Sequence, residues 1–176
     1  MSTSPPAPVE QVRLFLALWP GRGARAALAA HAEAWRWSTK AMRVQPARLH
    51  ITLHFIGSVP QDRLPELIAG LKVPFKPFDL KLNQPELWRQ GLAVLGADAT
   101  PARLMRLHGL LREALQRLEL PTEAREFRPH ITLARHARGA APPAQPLMVR
   151  WHVDGYALVE SNADPAIGYR IVQSYV

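Results

Sequence analysis

The sequence contains no cysteine, which excludes disulfide bonds, thiolate catalysis and cysteine-ligated metal sites. Lysine is scarce: it occurs only at positions 40, 72, 76 and 81, so arginine supplies most of a formal net charge of +8. No apolar run approaches the roughly 18 residues that a membrane-spanning helix needs. The Ser/Pro-rich residues 1–8 lack the basic and apolar segments of a signal peptide. These absences predict a cytoplasmic protein without a membrane partner.

The abundance of arginine raises the question of whether the protein binds a nucleic acid. A guanidinium group matches phosphate oxygens with a planar fork of donors, and a basic surface attracts polyanions. A GC-rich genome would also enrich arginine, together with alanine and proline. The charge therefore permits a nucleic-acid partner without indicating one.

Short apolar and β-branched runs predict strands, while an alanine-rich stretch and a leucine stripe predict helices. We predict a disordered lead over residues 1–10 and one bilobal, monomeric domain over residues 11–176. Thr100 and Pro101 predict the cap and the first residue of the third helix. The predicted helices cover residues 22–35, 61–71 and 103–118, and the predicted strands cover residues 12–18, 49–57, 78–83, 91–95, 130–135, 151–161 and 168–175.

One tetrapeptide occurs twice. His-Ile-Thr-Leu starts at His50 and again at His130, each time inside a predicted strand. Random placement gives only about a quarter of one His-x-Thr match in such a chain, so two matches with identical neighbours indicate an internal repeat. Because side chains alternate along a strand, His50 and Thr52 share one face, and so do His130 and Thr132.

The repeated pair has a chemical use. Hydrolysis of a cyclic phosphodiester needs a base for the attacking water and an acid for the leaving oxygen, placed on opposite sides of phosphorus. Histidine can do either task near neutral pH. Threonine hydroxyls can stabilise the non-bridging oxygens. Two pseudo-equivalent strands would bring one acid and one base to a single phosphate.

These segments, together with RLFLALWP at residues 13–20, FRPHITLAR at 127–135 and ALVES at 157–161, give the sequence a family resemblance. It resembles the two-histidine (2H) phosphoesterases, in particular the bacterial and archaeal RNA 2′,3′-cyclic phosphodiesterases, also called 2′-5′ RNA ligases. The resemblance implies an α+β fold of two pseudo-symmetric lobes, with antiparallel sheets lining a central cleft and helices outside. It implies hydrolysis of an RNA 2′,3′-cyclic phosphate end to a 2′-phosphomonoester, with no metal or other cofactor.

The resemblance also implies roles for individual residues. His50 would be the proton donor and His130 the proton acceptor. Thr52, Thr132 and Arg135 would bind phosphate. A regular strand would turn Arg135 away from His130, and a β-bulge would reconcile the two expectations.

His54 is a candidate substrate contact, because a regular strand would place it on the same face as His50. A metal site built from His50, His54 and His130 is the chemical alternative. The motif offers threonine instead of carboxylates, and the sequence has no His-Glu-x-x-His helix, which argues against that alternative.

Several functions stay open on the sequence alone. The same residues could act on a small cyclic nucleotide, or run the reverse 2′-5′ ligation, because the motif handles the phosphate and not the base. A non-catalytic module that holds RNA ends is the alternative from another class. Two retained histidines argue against it, since arginine or lysine would serve binding equally well.

Overall fold

The computed structural model describes residues 7–145 and 147–176, which form an α+β fold. Residues 1–6 of the predicted disordered lead lie outside the described residues, and the single domain over residues 11–176 stays a prediction. Two short 3-10 helices cover Pro46–Arg48 and Gln61–Arg63. The α-helices are α1 (Arg22–Glu33), α2 (Leu64–Gly70) and α3 (Ala102–Arg117), and the strands are β1 (Gln11–Leu18), β2 (Met42–Arg43), β3 (Ile51–Pro60), β4 (Phe78–Leu82), β5 (Gln84–Trp88), β6 (Leu92–Gly96), β7 (His130–Arg135), β8 (Val149–Val153), β9 (Tyr156–Ser161) and β10 (Tyr169–Tyr175).

One antiparallel sheet dominates the fold. Its strands run in the order β10-β9-β1-β3-β7-β6-β5, with the short β2 beside β7, while β4 and β8 form a separate pair. The two strands that carry the repeated motif, β3 and β7, are neighbours in the middle. On its other side β3 pairs with β1, and β7 pairs with β6. The two motif strands therefore meet in the middle of one continuous sheet, while the division into two lobes stays a prediction.

Helix α3 packs against β3, the strand that carries the first motif. Its leucine stripe is buried as predicted: Leu104, Leu107, Leu111 and Leu115 are each at most 2% exposed. Burying a leucine side chain contributes roughly 1.5–3 kcal/mol. Proline at position 101 is itself the N-cap and no side chain caps the helix, so the predicted Thr100 cap is wrong. None of the helices in the described residues is long and apolar enough to cross a bilayer.

Two strand predictions are also wrong in detail. Strand β5 lies between the strands predicted over residues 78–83 and 91–95, where no strand was expected; its Pro85 is tolerated because β5 lies at the edge of the sheet. The single strand predicted over residues 151–161 is two strands in different sheets. The chain turns between them at Gly155, where a Cβ atom would clash with the carbonyl oxygen of Tyr175.

Candidate active site

The two motifs meet at one residue pair. Strands β3 and β7 are antiparallel, and Ile51 pairs with Ile131. Both isoleucines are fully buried, so the residues on either side of each point to the opposite face of the sheet. Continuing the register by one residue sets His50 opposite Thr132. One residue in the other direction, the register sets His130 opposite Thr52.

This register makes His50 and His130 diagonal neighbours on one face of the sheet. Diagonal neighbours of an antiparallel pair lie about 7–8 Å apart. Both histidines are partly exposed, as are the two threonines of the motifs. A tetrahedral phosphate between the imidazoles would meet one ring on each side.

Both imidazoles are held in the same way. The Nδ1 atom of His50 lies 2.7 Å from the carbonyl oxygen of Arg48, and Nδ1 of His130 lies 2.7 Å from that of Arg128. A carbonyl oxygen only accepts, so each Nδ1 carries the proton and donates it. Each Nε2 then faces the cleft, where it can accept a proton in the neutral ring or donate one in the cation.

The surroundings lower the pKa of both histidines. For His50 the main cause is burial, with smaller contributions from the positive charges of Arg135 and His130; the hydrogen bond to the Arg48 carbonyl opposes them. Burial is also the main cause for His130, helped by the guanidinium groups of two nearby arginines. The neutral forms are therefore favoured more strongly than in a solvated histidine.

A β-bulge follows the first motif. Thr52 pairs with Ala17 of β1, but His54 pairs with Leu16, so Leu53 is an extra residue. After the bulge His54 points into the core together with Leu53, and both are at most 4% exposed. The predicted alignment of His54 with the first catalytic histidine is therefore wrong, because period-two alternation fails across a bulge.

His54 is instead part of a buried stack of rings. Its Nε2 atom donates to the carbonyl oxygen of His108 at 2.9 Å. The His54 ring stacks on that of His108 at 4.0 Å, which in turn stacks on Phe127 at 4.1 Å. His54 is 3% exposed, yet it also belongs to the lining of the cleft, so its role as a substrate contact stays a prediction.

The second motif is followed by an equivalent bulge. Thr132 pairs with Val94 of β6, but Ala134 pairs with Ala93, so Leu133 is the extra residue. The bulge returns Arg135 to the face of the site. The structure thus contains the bulge that was needed to reconcile the strand pattern with the resemblance.

The site lies in a cleft of about 640 Å³. Arg135 lines it, as do both histidines and both threonines of the motifs. Positive charge prevails among the lining residues, which suits a phosphorylated ligand. The positively charged lining residues are Arg13, Arg48, Arg112, Arg125, Arg128 and Arg135. The negatively charged ones are Glu123 and Glu126.

Aromatic rings confine the two imidazoles unequally. His50 has Trp19 stacked on it at 5.2 Å and 8°, with Phe15 and Tyr169 at 5.1 and 5.3 Å. Among the described residues, the one aromatic partner of His130 is Trp88, at 4.5 Å. The two catalytic candidates are therefore similar in backbone and different in surroundings.

The metal site built from His50, His54 and His130 was the chemical alternative. Within residues 7–145 and 147–176, no three His, Cys, Asp or Glu side chains are grouped so that they could hold a metal ion. His54, which would have been the third ligand, is buried against the helix.

Comparison with known proteins assigns the family. The family model described as the 2′-5′ RNA ligase superfamily matches residues 24–165. The chain belongs to the 2′-5′ RNA ligase superfamily. The RNA 2′,3′-cyclic phosphodiesterase of Thermus thermophilus is 30% identical over 174 residues, which cover 88% of this chain and 84% of that protein. The predicted family resemblance is thereby confirmed.

Solved structures agree with this assignment. The crystal structure of E. coli LigT in its apo form superposes with a TM-score of 0.83 at 25% identity, covering 94% of this chain and 97% of that one. The structure of E. coli LigT complexed with 3′-AMP gives a TM-score of 0.82 at 25% identity, with coverage of 94% and 98%. The predicted α+β fold of this superfamily is likewise confirmed.

Sequence reasoning missed two parts of this candidate site, Arg48 and Arg128. Their carbonyl groups fix the imidazoles, and each stands two residues before its histidine. The sequence does hold the signal, because the repeat is Arg-x-His-Ile-Thr-Leu in both places.

Proposed function

We propose that this chain is a metal-independent RNA 2′,3′-cyclic phosphodiesterase that leaves a 2′-phosphomonoester. The observation that carries the proposal is the pair His50 and His130. They are diagonal neighbours across the Ile51–Ile131 pair, and each turns a free Nε2 towards the same cleft.

The proposed reaction is an in-line displacement at phosphorus. Neutral His130 accepts a proton from water at Nε2 while the water oxygen bonds to phosphorus. Protonated His50 donates its Nε2 proton to the ribose 3′-oxygen as the bond between that oxygen and phosphorus breaks. The hydroxyl groups of Thr52 and Thr132 and the guanidinium of Arg135 stabilise the charge on the non-bridging oxygens.

Two further observations support an RNA end as the substrate. Six arginines and two glutamates line the cleft, which favours an anionic ligand. Relatives in Thermus thermophilus and E. coli carry the name RNA 2′,3′-cyclic phosphodiesterase. We further propose that the enzyme acts as a monomer in the cytoplasm.

The deciding experiment uses a short RNA that ends in a 2′,3′-cyclic phosphate, incubated with purified protein and excess EDTA. We expect turnover by the wild type, and a loss of about 100-fold or more in His50→Ala and His130→Ala. His152→Ala is the matched control, because this exposed histidine pairs with Asp79 away from the cleft. Binding without turnover would instead indicate a module that holds RNA ends.

A further inference from the structure

Two of the six cleft arginines differ from the others. Among the described residues, the guanidinium groups of Arg13 and Arg135 form no hydrogen bond or ion pair. Arg135 stands beside the first catalytic histidine and is already part of the proposed site. The other four are bonded within the protein: Arg48 to the Pro165 carbonyl, Arg112 to the Glu123 carbonyl, Arg125 to the Glu123 carboxylate, and Arg128 to the Glu86 carboxylate.

Arg13 lies on the same face as the reaction centre but away from it. On β1, side chains alternate, so Arg13 shares a face with Phe15 and Ala17. Ala17 pairs with Thr52 of the first motif. Four residues of strand separate Ala17 from Arg13, or about 13 Å. The guanidinium is therefore displaced along the cleft from the phosphate that the histidines would attack.

The strand neighbours of Arg13 carry no negative charge that would neutralise its guanidinium. It pairs with Ser58 on β3 and with Ser161 on β9, and neither carries a charge. Between Arg13 and the centre the floor is aromatic, with Phe15 buried and Phe55 49% exposed. An uncompensated cation at the end of an apolar floor suits a ligand whose charges are separated by uncharged groups.

We propose that Arg13 binds a backbone phosphodiester on the 5′ side of the reacting end, so that the enzyme selects an RNA strand over a cyclic mononucleotide. An arginine can hold a phosphodiester through two parallel hydrogen bonds. A 2′,3′-cyclic mononucleoside monophosphate has no such second phosphate and gains nothing from this contact. The inference rests on the proposed function, whose site it extends.

The test compares two substrates. We measure kcat/KM for a pentanucleotide ending in a 2′,3′-cyclic phosphate and for 2′,3′-cyclic AMP, and form their ratio. Arg13→Gln should lower the ratio about tenfold, the effect expected from one lost charge-assisted contact. For pentanucleotide binding, the slope of log K against log salt should become shallower by about 0.7, since one fewer counterion is released.

Arg106→Gln is the matched control, because it removes one positive charge from an exposed position on α3 outside the cleft. It should keep the wild-type ratio. An unchanged ratio in Arg13→Gln would overturn the inference, and so would an equal loss on both substrates.

The experiment also distinguishes a failure of the proposed function from a failure of the Arg13 inference. If the wild type cleaves neither substrate, the enzyme assignment fails. The inference is then judged by the binding of a fluorescent pentanucleotide 3′-phosphate. Weaker binding by Arg13→Gln than by Arg106→Gln would support the Arg13 contact, and equal affinities would overturn it.

Discussion

Phe55 and Arg135 occupy equivalent positions in the two halves of the active site. Each follows its motif directly after a bulge, at Leu53 and Leu133 respectively. The bulge turns both side chains back towards the cleft, which both residues line. The backbone is thus nearly symmetric, while one half presents an aromatic ring where the other presents a cation. This difference breaks the symmetry of the site around the phosphate.

Replacement of Arg135 tests whether that cation stabilises the transition state. Arg135→Ala should lower kcat/KM by about 100-fold, because a preorganised donor to the reacting phosphate is lost. Arg135→Lys should recover only part of the activity, since lysine keeps the charge but not the planar fork. Arg138→Ala, which removes an exposed arginine outside the cleft, should behave like the wild type. Unchanged kinetics in Arg135→Ala would remove this residue from the site.

The pH profile follows from the pKa directions. The reaction needs one histidine neutral and the other protonated, so kcat/KM should be bell-shaped, with two apparent pKa values that belong to the pair. Burial lowers the pKa of both His50 and His130, so the singly protonated form should be most abundant below pH 6.5. The optimum of kcat/KM should lie on the acid side of that value.

The profile of kcat should lie at higher pH than that of kcat/KM. An anionic phosphate between the rings favours their protonated forms and raises both pKa values in the complex. Initial rates from pH 4.5 to 8.5, at saturating and at low substrate concentration, separate the two profiles. A kcat/KM optimum above pH 7 would contradict the acid–base pair in its present surroundings.

The sequence predicted the centre of this site better than its edges. His50, Thr52, His130 and Thr132 are arranged as expected, because a buried residue between each histidine and threonine enforces the alternation. That rule fails at the bulges, whose positions depend on pairing with β1 and β6 and leave no local signal. It therefore misplaced His54, whose burial depends on contacts with the distant helix α3.

The stack that contains His54 makes stability depend on pH. Burial lowers the pKa of His108 to about 4, from a usual value of 6.5. Below pH 6.5 the unfolded chain therefore binds this proton more readily than the folded one. The free energy of unfolding should fall between pH 6.5 and pH 4, by up to about 3 kcal/mol from this residue, and then level off.

His108→Phe isolates that contribution. Phenylalanine keeps a ring between His54 and Phe127 but cannot take up a proton. Urea unfolding at pH 7, 5.5 and 4.5 should give a shallower pH dependence than in the wild type. Equal slopes for the wild type and His108→Phe would show that His108 does not titrate in this range.

The regiochemistry of the product tests the assignment of acid and base. Both ribose oxygens are bonded to phosphorus, and water enters opposite the one that leaves, so a symmetric pair of histidines could expel either. The seating of the ribose decides which oxygen lies nearest the acid. The family resemblance implies that His50 is the acid and that the 3′-oxygen leaves, so the product should be a 2′-phosphomonoester. Phosphorus NMR of the products distinguishes the two isomers, and alkaline hydrolysis of the same RNA supplies the mixed reference. A predominant 3′-phosphate would mean that the substrate lies the other way round, with His130 as the acid and His50 as the base.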